Sequence, residues 1–291
     1  FIFSNLSELV YIVTICAAPA ASFATGVSTM ESAFGINHWI GTIFVGIFIF
    51  IVAVYGTNVV RKVAATLSVL IVAGLIIVYI PNIFAQWGSI SSNISASMAA
   101  PAPVGKALWI CIVYAAFQLA SIGLLVQHAK PFNSPDDART SMVWGFFVNT
   151  VICLMAVLGL MAVTNDENFA TESIPLLILV NKGVAPELLR PIISVLIVLG
   201  SVSTAVNMIA GMSNRVCVAI DKNFDPTAKP GKNVIIVTFV CTIVAFLIAQ
   251  LGLNKIVSVG YKYLGYLTIP VIMIPYVVHM VATKFDTVES K

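Results

Sequence analysis

Residues 192–213, IISVLIVLGSVSTAVNMIAGMS, form an apolar stretch without a charged side chain. About 20 apolar residues in an α-helix cross the hydrocarbon core of a bilayer, so this stretch predicts a transmembrane helix. Further apolar stretches of similar length lie at residues 9–25, 39–57, 64–84, 107–127, 141–163, 233–252 and 263–283. We therefore predict an all-α membrane protein with about eight transmembrane helices.

The composition supports the same class. Hydrophobic residues make up 59% of the chain and charged residues 9%, and the mean hydropathy is +1.02. A soluble domain needs more polar surface than this, so the lipid bilayer is the expected surrounding. The apolar runs are continuous rather than alternating, which favours helices over the strands of a membrane barrel. The net charge of +3 is spread thinly, so no nucleic-acid partner is expected.

Lys and Arg residues fall mainly in every second gap between the apolar stretches. Ten lie on one face, namely Arg61, Lys62, Lys130, Arg139, Arg215, Lys222, Lys229, Lys232, Lys284 and Lys291. Five lie on the other face, namely Lys106, Lys182, Arg190, Lys255 and Lys262. Because cytoplasmic loops carry the excess of Lys and Arg, the first face is predicted to be cytoplasmic and both ends of the chain to lie inside. We expect the plasma (inner) membrane of a bacterium.

The remaining segments are polar or short. Residues 173–184 are too few to span, so we expect an interfacial or re-entrant helix there. Residues 89–106 form a Ser/Ala/Pro-rich outer gap. The chain opens Phe1-Ile2-Phe3 without Met, and we expect a further piece of the protein before it. Residues 1–291 are predicted to form a single polytopic domain.

Ionisable side chains are scarce inside the predicted spans. All twelve Asp and Glu residues lie in gaps, tails or at span edges. Proton relays and many cation sites in membranes use buried acids, so such a relay is not expected here. The chain has no His/Glu metal spacing and no GxSxG motif, so we predict neither an enzyme nor an organic cofactor.

Neutral polar residues concentrate first in the stretch 192–213. At i, i+4, i+7 and i+11 it carries Gly200, Thr204, Asn207 and Gly211, which share one helical face. Ser203 lies beside that face. Hydroxyl and amide oxygens there suit a hard cation such as Na⁺, and we name Ser203 and Thr204 as candidate ligands. The alternative is helix packing, in which small and hydroxyl residues are common.

The stretch 107–127 carries a second polar stripe. Tyr114, Gln118 and Ser121 follow each other at i, i+4 and i+7, with Ala120 and Gly123 close by. A Gln at mid-membrane is costly without a partner. These residues predict a place where the helix breaks and offers groups to a solute, as discontinuous transporter helices do. A continuous helix whose Gln pairs with a neighbour is the alternative.

Two further side chains complete the predicted site. Tyr11, in the first span, is expected to face a cavity, with a tightly packed scaffold helix as the alternative. Asn207 is expected to contribute to the solute site from the stretch 192–213. Hence the candidate solute-binding residues are Tyr114, Gln118, Ala120, Ser121, Gly123, Tyr11 and Asn207.

The order of these features resembles the ten-helix inverted-repeat fold of the amino acid/polyamine/cation (APC) transporter superfamily, the LeuT fold. It is also similar to the YkvI-type family of uncharacterised bacterial membrane proteins within it. The resemblance rests on the polar, breakable helix from Tyr114 to Gly123 and the short segment from Ser173 to Val184. It also rests on the long following helix with Ser203 and Thr204.

This resemblance implies a LeuT-like bundle that lacks its first two helices. Residues 1–85 would be the remainder of the first repeat, and residues 107–284 the second repeat. Ser203 and Thr204 match the hydroxyl positions of the helix that binds sodium in relatives, and Gln118 to Gly123 matches the unwound solute-binding segment.

Two functions follow as hypotheses. The first is a secondary active transporter of a small amino-acid-like solute, coupled to Na⁺ or H⁺ and working by alternating access. Its partners would be the solute, the coupling ion and the lipid. The second is a non-transporting membrane receptor or scaffold subunit with the same fold. No sequence feature indicates an oligomeric state.

Overall fold

A computed structural model of the chain describes residues 2–55, 57–99, 103–122, 132–222, 224–225 and 228–283, without the side chains of residues 2–5 and 57–65. Within these ranges the chain is helical and contains no strand. The helices are α1 (Ile2–Phe34), α2 (His38–Tyr55), α3 (Thr57–Ala85), α4 (Trp87–Ala99), α5 (Val104–Leu119), α6 (Pro135–Met161), α7 (Pro175–Asn181), α8 (Pro186–Ile220), α9 (Lys232–Ala249) and α10 (Leu253–Ala282).

Seven of these helices, α1, α2, α3, α6, α8, α9 and α10, are long and apolar enough to cross a membrane. Helices α4 and α5 meet at an angle of 119° and make an eighth span only if the bent pair is counted as one. The prediction of an all-α membrane protein is therefore confirmed in outline. The predicted fourth span, residues 107–127, differs in form, because its helix α5 ends at Leu119.

Helices α1 and α8 form the centre of the bundle and run in opposite directions. Glu8 pairs with Arg215 near one end of the pair, and the Arg190 Nη2 donates to the Ser32 carbonyl oxygen, 2.8 Å away, near the other end. Between these ends, a Cβ added to Gly26 would come within 3.0 Å of the Ser201 Oγ. Close backbone approach at small residues is the usual basis of helix pairing in membranes.

Helices α2, α3 and α9 surround this pair. A core of small and branched side chains fills the space between α1, α2, α8 and α9, with Phe23 and Ile49 fully buried within it. The Ser213 and Thr238 hydroxyls, 2.7 Å apart, join α8 to α9 inside the protein. Buried hydroxyls are expected to be paired in this way, because an unpaired polar group in an apolar interior costs free energy.

A network of amide hydrogen bonds holds the end of the bundle at which α1 ends and α8 begins, the end that the charge count predicts to be outside. The fully buried Asn82 in α3 accepts from the Val184 N–H through Oδ1, 2.8 Å away, and donates to the Val78 carbonyl oxygen, 2.7 Å away. The Asn93 Nδ2 of α4 donates to the Met161 carbonyl oxygen, 2.7 Å away. These bonds fasten α4 and the chain before α8 onto the ends of α3 and α6.

The segment 173–184 is a short helix, as predicted. Helix α7 has seven residues, and its side chains from Leu177 to Val180 are buried against neighbouring helices. Residues 87–99, in contrast, form helix α4 where the sequence indicated only a polar gap.

The last helix, α10, contains two π-helical segments, Ile256–Tyr261 and Ile269–Met273. The second segment includes Pro270, which has no N–H to donate, so a widened turn removes the clash that its ring would make in an α-helix. π-Helical segments often mark functional positions in helices. In α10, the two π-helical segments lie immediately before and after the two turns that contact α5.

Candidate functional site

The predicted polar stripe on α5 lies beside α6. The Gln118 Nε2 donates to the Tyr114 Oη, 2.9 Å away. The Cys153 thiol of α6 lies close to the Tyr114 hydroxyl. Tyr114 is 53% exposed and Gln118 is exposed as well. The group therefore presents a phenol, a carboxamide and a thiol at an open surface between two helices.

Helix α5 ends where the sequence predicted a break. The helix runs to Leu119, and Ala120 and Ser121 form a turn. Ala120 is buried, and its N–H is shared between the carbonyl oxygens of Ala116 and Phe117, at 3.2 and 3.1 Å. Gly123 lies outside the described residues. The turn gives α5 an end close to the Tyr114–Gln118 group.

Helix α5 is held mainly by α10. A Cβ added to Gly265 would lie 2.5 Å from the Val113 carbonyl oxygen. The backbones of the two helices therefore approach each other closely at this point. One turn away from it on each helix, the rings of Phe117 and Tyr261 stack with centroids 4.2 Å apart. Since Tyr261 ends the first π-helical segment, a change in that segment would move the partner of Phe117 directly.

Asn149 is a further polar side chain on the α6 side of this group. It precedes Cys153 by four residues, so the two lie on one face of α6. Asn149 is exposed, near the middle of a 27-residue helix. Its relation to Tyr114 becomes visible only through the contact that Cys153 makes in the folded chain.

The predicted cation ligands lie on another helix. Ser203 and Asn207 are half-buried on α8, and Thr204 is exposed, with its hydroxyl donated to the Gly200 carbonyl oxygen 2.8 Å away. A Cβ added to Gly200 would come within 2.9 Å of the Ile71 Cδ1. This polar stripe therefore faces α3, on the opposite side of α8 from the core that it shares with α1.

Tyr11 is buried, as the tightly packed alternative for the first span expects. The Arg215 guanidinium carbon lies 4.2 Å from the centre of the buried Tyr11 ring, and Arg215 also pairs with Glu8. A guanidinium over an aromatic face is attractive, and it holds the ring in place. Arg215 is a residue whose role the sequence did not indicate, because its partners lie about 200 positions earlier in the chain.

A polar cavity of about 380 Å³ opens at the predicted outer end. Its lining residues are Ser28, Glu31, Ser32, Asn168, Thr171, Glu172 and Ser173. Glu31 is already engaged, since its Oε2 lies 3.2 Å from the Nδ1 of His38. The cavity thus combines hydroxyls, an amide and two carboxylates at the mouth of the bundle.

Next to that cavity, Asp166 and Lys182 form an ion pair between the loop after α6 and the end of α7. The hydrogen bond from Lys182, helped by the Asn168 N–H, lowers the pKa of the Asp166 carboxyl. The negative form of a carboxylate is favoured by such donors. The pair fixes the loop that carries Asn168, Thr171 and Glu172.

The structure brings some of the predicted residues together and separates others. Tyr114 and Gln118 lie in the last turns of α5, and Ala120 and Ser121 lie in the turn that follows it, in a segment that packs on α10 and lies beside Cys153 of α6. Ser203, Thr204 and Asn207 lie on α8, and Tyr11 is tied to Arg215. Neutral oxygens and amides are available in the first two groups, and these suit a polar solute and a hard cation.

Comparisons of the chain with protein-family models, with curated proteins and with solved structures find no match. The resemblance to the LeuT fold therefore stays a prediction from the sequence. The function of the chain has to be inferred from the polar groups of α5, α6 and α8 and from its class as a helical membrane protein.

Proposed function

We propose that this chain is the membrane domain of a secondary active transporter for a small amino-acid-like solute, coupled to Na⁺ or H⁺. The observation that carries the proposal is the group of Tyr114, Gln118 and Cys153 beside the end of α5. Polar groups inside a membrane protein are expensive and usually mark a pathway for a solute or ion.

The chemistry of the group fits a zwitterion. The Gln118 carbonyl accepts from an ammonium group, and its N–H and the Tyr114 hydroxyl donate to a carboxylate. The turn at Ala120 and Ser121 lies close to these side chains. A receptor needs only such a pocket, whereas a transporter also needs access from both faces. The π-helical segments beside α5 offer the required flexibility in α10.

Sodium is the favoured coupling ion, because Ser203, Thr204 and Asn207 provide neutral oxygens on α8 and the spans hold few carboxylates. Hard cations bind such oxygens, often together with backbone carbonyls. A proton would need a titratable group inside the bundle instead.

The test is uptake of labelled amino acids into proteoliposomes, with and without an inward Na⁺ gradient. Gln118→Leu should reduce uptake about tenfold, since hydrogen bonds to charged groups contribute about 1.5–3 kcal/mol. Tyr263→Phe is the matched control for Tyr114→Phe, because Tyr263 is 65% exposed on α10 and should tolerate the loss of its hydroxyl.

The sodium half of the proposal has its own control. Thr204→Val should raise the Na⁺ concentration for half-maximal uptake, and Thr204→Ser should restore it. Thr150→Val should change nothing, although the exposed Thr150 hydroxyl also donates to the carbonyl four residues earlier, 2.7 Å away. Equal effects of both valine variants would contradict a cation site on α8.

A ligand receptor is the second candidate, and the outer polar cavity favours it. Glu31 and Glu172 would contact a cationic group of a ligand that never crosses the membrane. Saturable binding that is lost in Glu172→Gln, without flux under any gradient, would support the receptor over the transporter.

A further inference from the structure

A second cavity, of about 310 Å³, lies at the start of α6, away from the group between α5 and α6. Its lining residues are Asp136, Arg139, Thr140, Val143 and Trp144. These residues follow one another in a fixed order along the helix: charged side chains first, then a hydroxyl, then apolar and aromatic groups. The same order is met on passing from the headgroup layer of a bilayer into its hydrocarbon.

The charges of this cavity balance. Asp136 and Arg139 are three positions apart on α6, so they lie on adjacent turns of one face. Both are exposed, and neither forms an ion pair with another described residue. The neighbouring Asp137 is used differently, because its Oδ2 accepts from the Asn133 N–H, 3.0 Å away, before the helix begins. The cavity therefore offers one carboxylate and one guanidinium to a ligand.

An apolar surface continues from the cavity along α6. Every residue from 139 to 151 is exposed, on all sides of the helix. Trp144 is 67% exposed, Phe146 65% and Phe147 56%. Tryptophan is enriched where membrane helices pass the interface, since its ring is apolar and its N–H is polar. A ligand with a zwitterionic head and long apolar tails matches this sequence of surfaces.

We infer that the cavity at the start of α6 binds the headgroup of phosphatidylethanolamine. The Arg139 guanidinium matches the phosphate, to which it can donate two parallel hydrogen bonds. The Asp136 carboxylate matches the primary ammonium, and the Thr140 hydroxyl donates to a phosphate or ester oxygen. Val143 and Trp144 contact the upper part of an acyl chain.

Charge complementarity separates this lipid from its relatives. Phosphatidylglycerol has the phosphate but no cation for Asp136, and phosphatidylcholine has a cation without N–H donors. Neither satisfies both charged residues of the cavity. The inference does not depend on transport, because it concerns a lipid held on the outside of α6.

The test is native mass spectrometry of the delipidated full chain in detergent, titrated with the three lipids carrying identical acyl chains. The first bound phosphatidylethanolamine should have about tenfold higher affinity than either of the others. Arg139→Gln should weaken all three lipids, because each has a phosphate, whereas Asp136→Asn should remove the preference by weakening phosphatidylethanolamine alone.

Lys232→Gln is the control, because Lys232 is an exposed cation at the first residue of another membrane helix, α9. It should leave the preference unchanged. Soluble glycerophosphoethanolamine should compete only at far higher concentration than the lipid, since it lacks the tails that contact α6. Equal affinities of the three lipids for the unaltered chain, or an unchanged preference in Asp136→Asn, would overturn the inference. Gel filtration and thermal unfolding of each variant show whether it is folded.

Discussion

Helices α1 and α8 contact each other near both ends and in the middle, whereas α5 and α6, as far as the described residues go, approach each other at Tyr114 and Cys153. The first pair has a tight central contact between Gly26 and Ser201 and an arginine bond near each end. The second pair is connected through Tyr114 and Cys153, and residues 139–151 of α6 are exposed throughout.

This difference separates a scaffold from a surface that remains available for binding. Dense packing resists local opening, and regions with few contacts open at lower free energy. A transporter needs both kinds of region, because rigid helices must hold position while others move around a solute. The α5–α6 group is therefore the better place for function, and the α1–α8 pair is the better place to test stability.

The largest effect is expected at Gly183, which adjoins the buried Asn82 in the packed part of the protein. A Cβ added there would lie 1.6 Å from the Asn82 Oδ1 and 2.8 Å from the Leu179 carbonyl oxygen. Gly183→Ala must displace Asn82 and break its bond with the Val184 N–H. We expect a loss of about 3 kcal/mol in the free energy of unfolding.

Thermal unfolding in detergent measures this loss. Gly105→Ala is the control, because no atom lies within 4 Å of the added Cβ at that position near the start of α5. Identical unfolding temperatures for the two variants would show that the outer end is not packed as described.

Two glycines of α6 allow a packed position and an open position to be compared within one helix. At Gly159 an added Cβ would lie 2.5 Å from the Cδ1 of the buried Tyr79, whereas at Gly145 it would meet nothing within 4 Å. Gly159→Ala should cost about 2 kcal/mol through overpacking. Gly145→Ala should leave stability unchanged or raise it by up to about 1 kcal/mol, since alanine favours a helix over glycine. A loss at Gly145 as large as the loss at Gly159 would mean that the start of α6 is packed after all.

The smallest effect concerns pH. Because Lys182 lowers the pKa of Asp166, the folded state favours the carboxylate more than the unfolded state does. The contribution to stability is therefore full above the ordinary pKa of Asp, about 3.9, and is lost as the pH falls through the lowered value. Asp166→Asn should lower the unfolding temperature at neutral pH and have no effect in strong acid.

Glu167→Gln removes the neighbouring carboxylate and should show no such pH dependence. A difference between Asp166→Asn and the unaltered chain that persists in strong acid would assign the effect to packing rather than to the ion pair.

The sequence predicted the helical class well, because long apolar runs are a direct consequence of a lipid surrounding. It underestimated the length of α1 and α8. Their charged ends, such as Glu8 and Arg190, fall outside an apolar run but remain helical because they bond across the pair. Helix α4 was missed for a related reason, since it is rich in Ser and Ala and is fastened by the Asn93 amide and the single fully buried side chain of Ile90.

The sequence could predict which candidate residues lie near each other within one helix, but not which residues of different helices meet. The spacing of Tyr114 and Gln118 along a single helix led directly to their hydrogen bond. Cys153 lies 39 positions after Tyr114, and no periodicity connects them. Arg215 is a stronger example, because its contacts with Tyr11 and Glu8 arise only when α1 and α8 pair in opposite directions.

The distance between the two arginines of α8 is close to the thickness of a bilayer. Arg190 and Arg215 are separated by 25 residues of continuous helix, or about 37 Å at a rise of 1.5 Å per residue. The hydrocarbon core of a bilayer is about 30 Å thick, and the full bilayer with its headgroups about 40–45 Å. An upright α1–α8 pair would thus place one guanidinium in each headgroup layer. In a thinner bilayer the pair must tilt, or the bilayer around it must thicken locally. The spacing of these two residues therefore matches the α1–α8 pair to one range of membrane thickness.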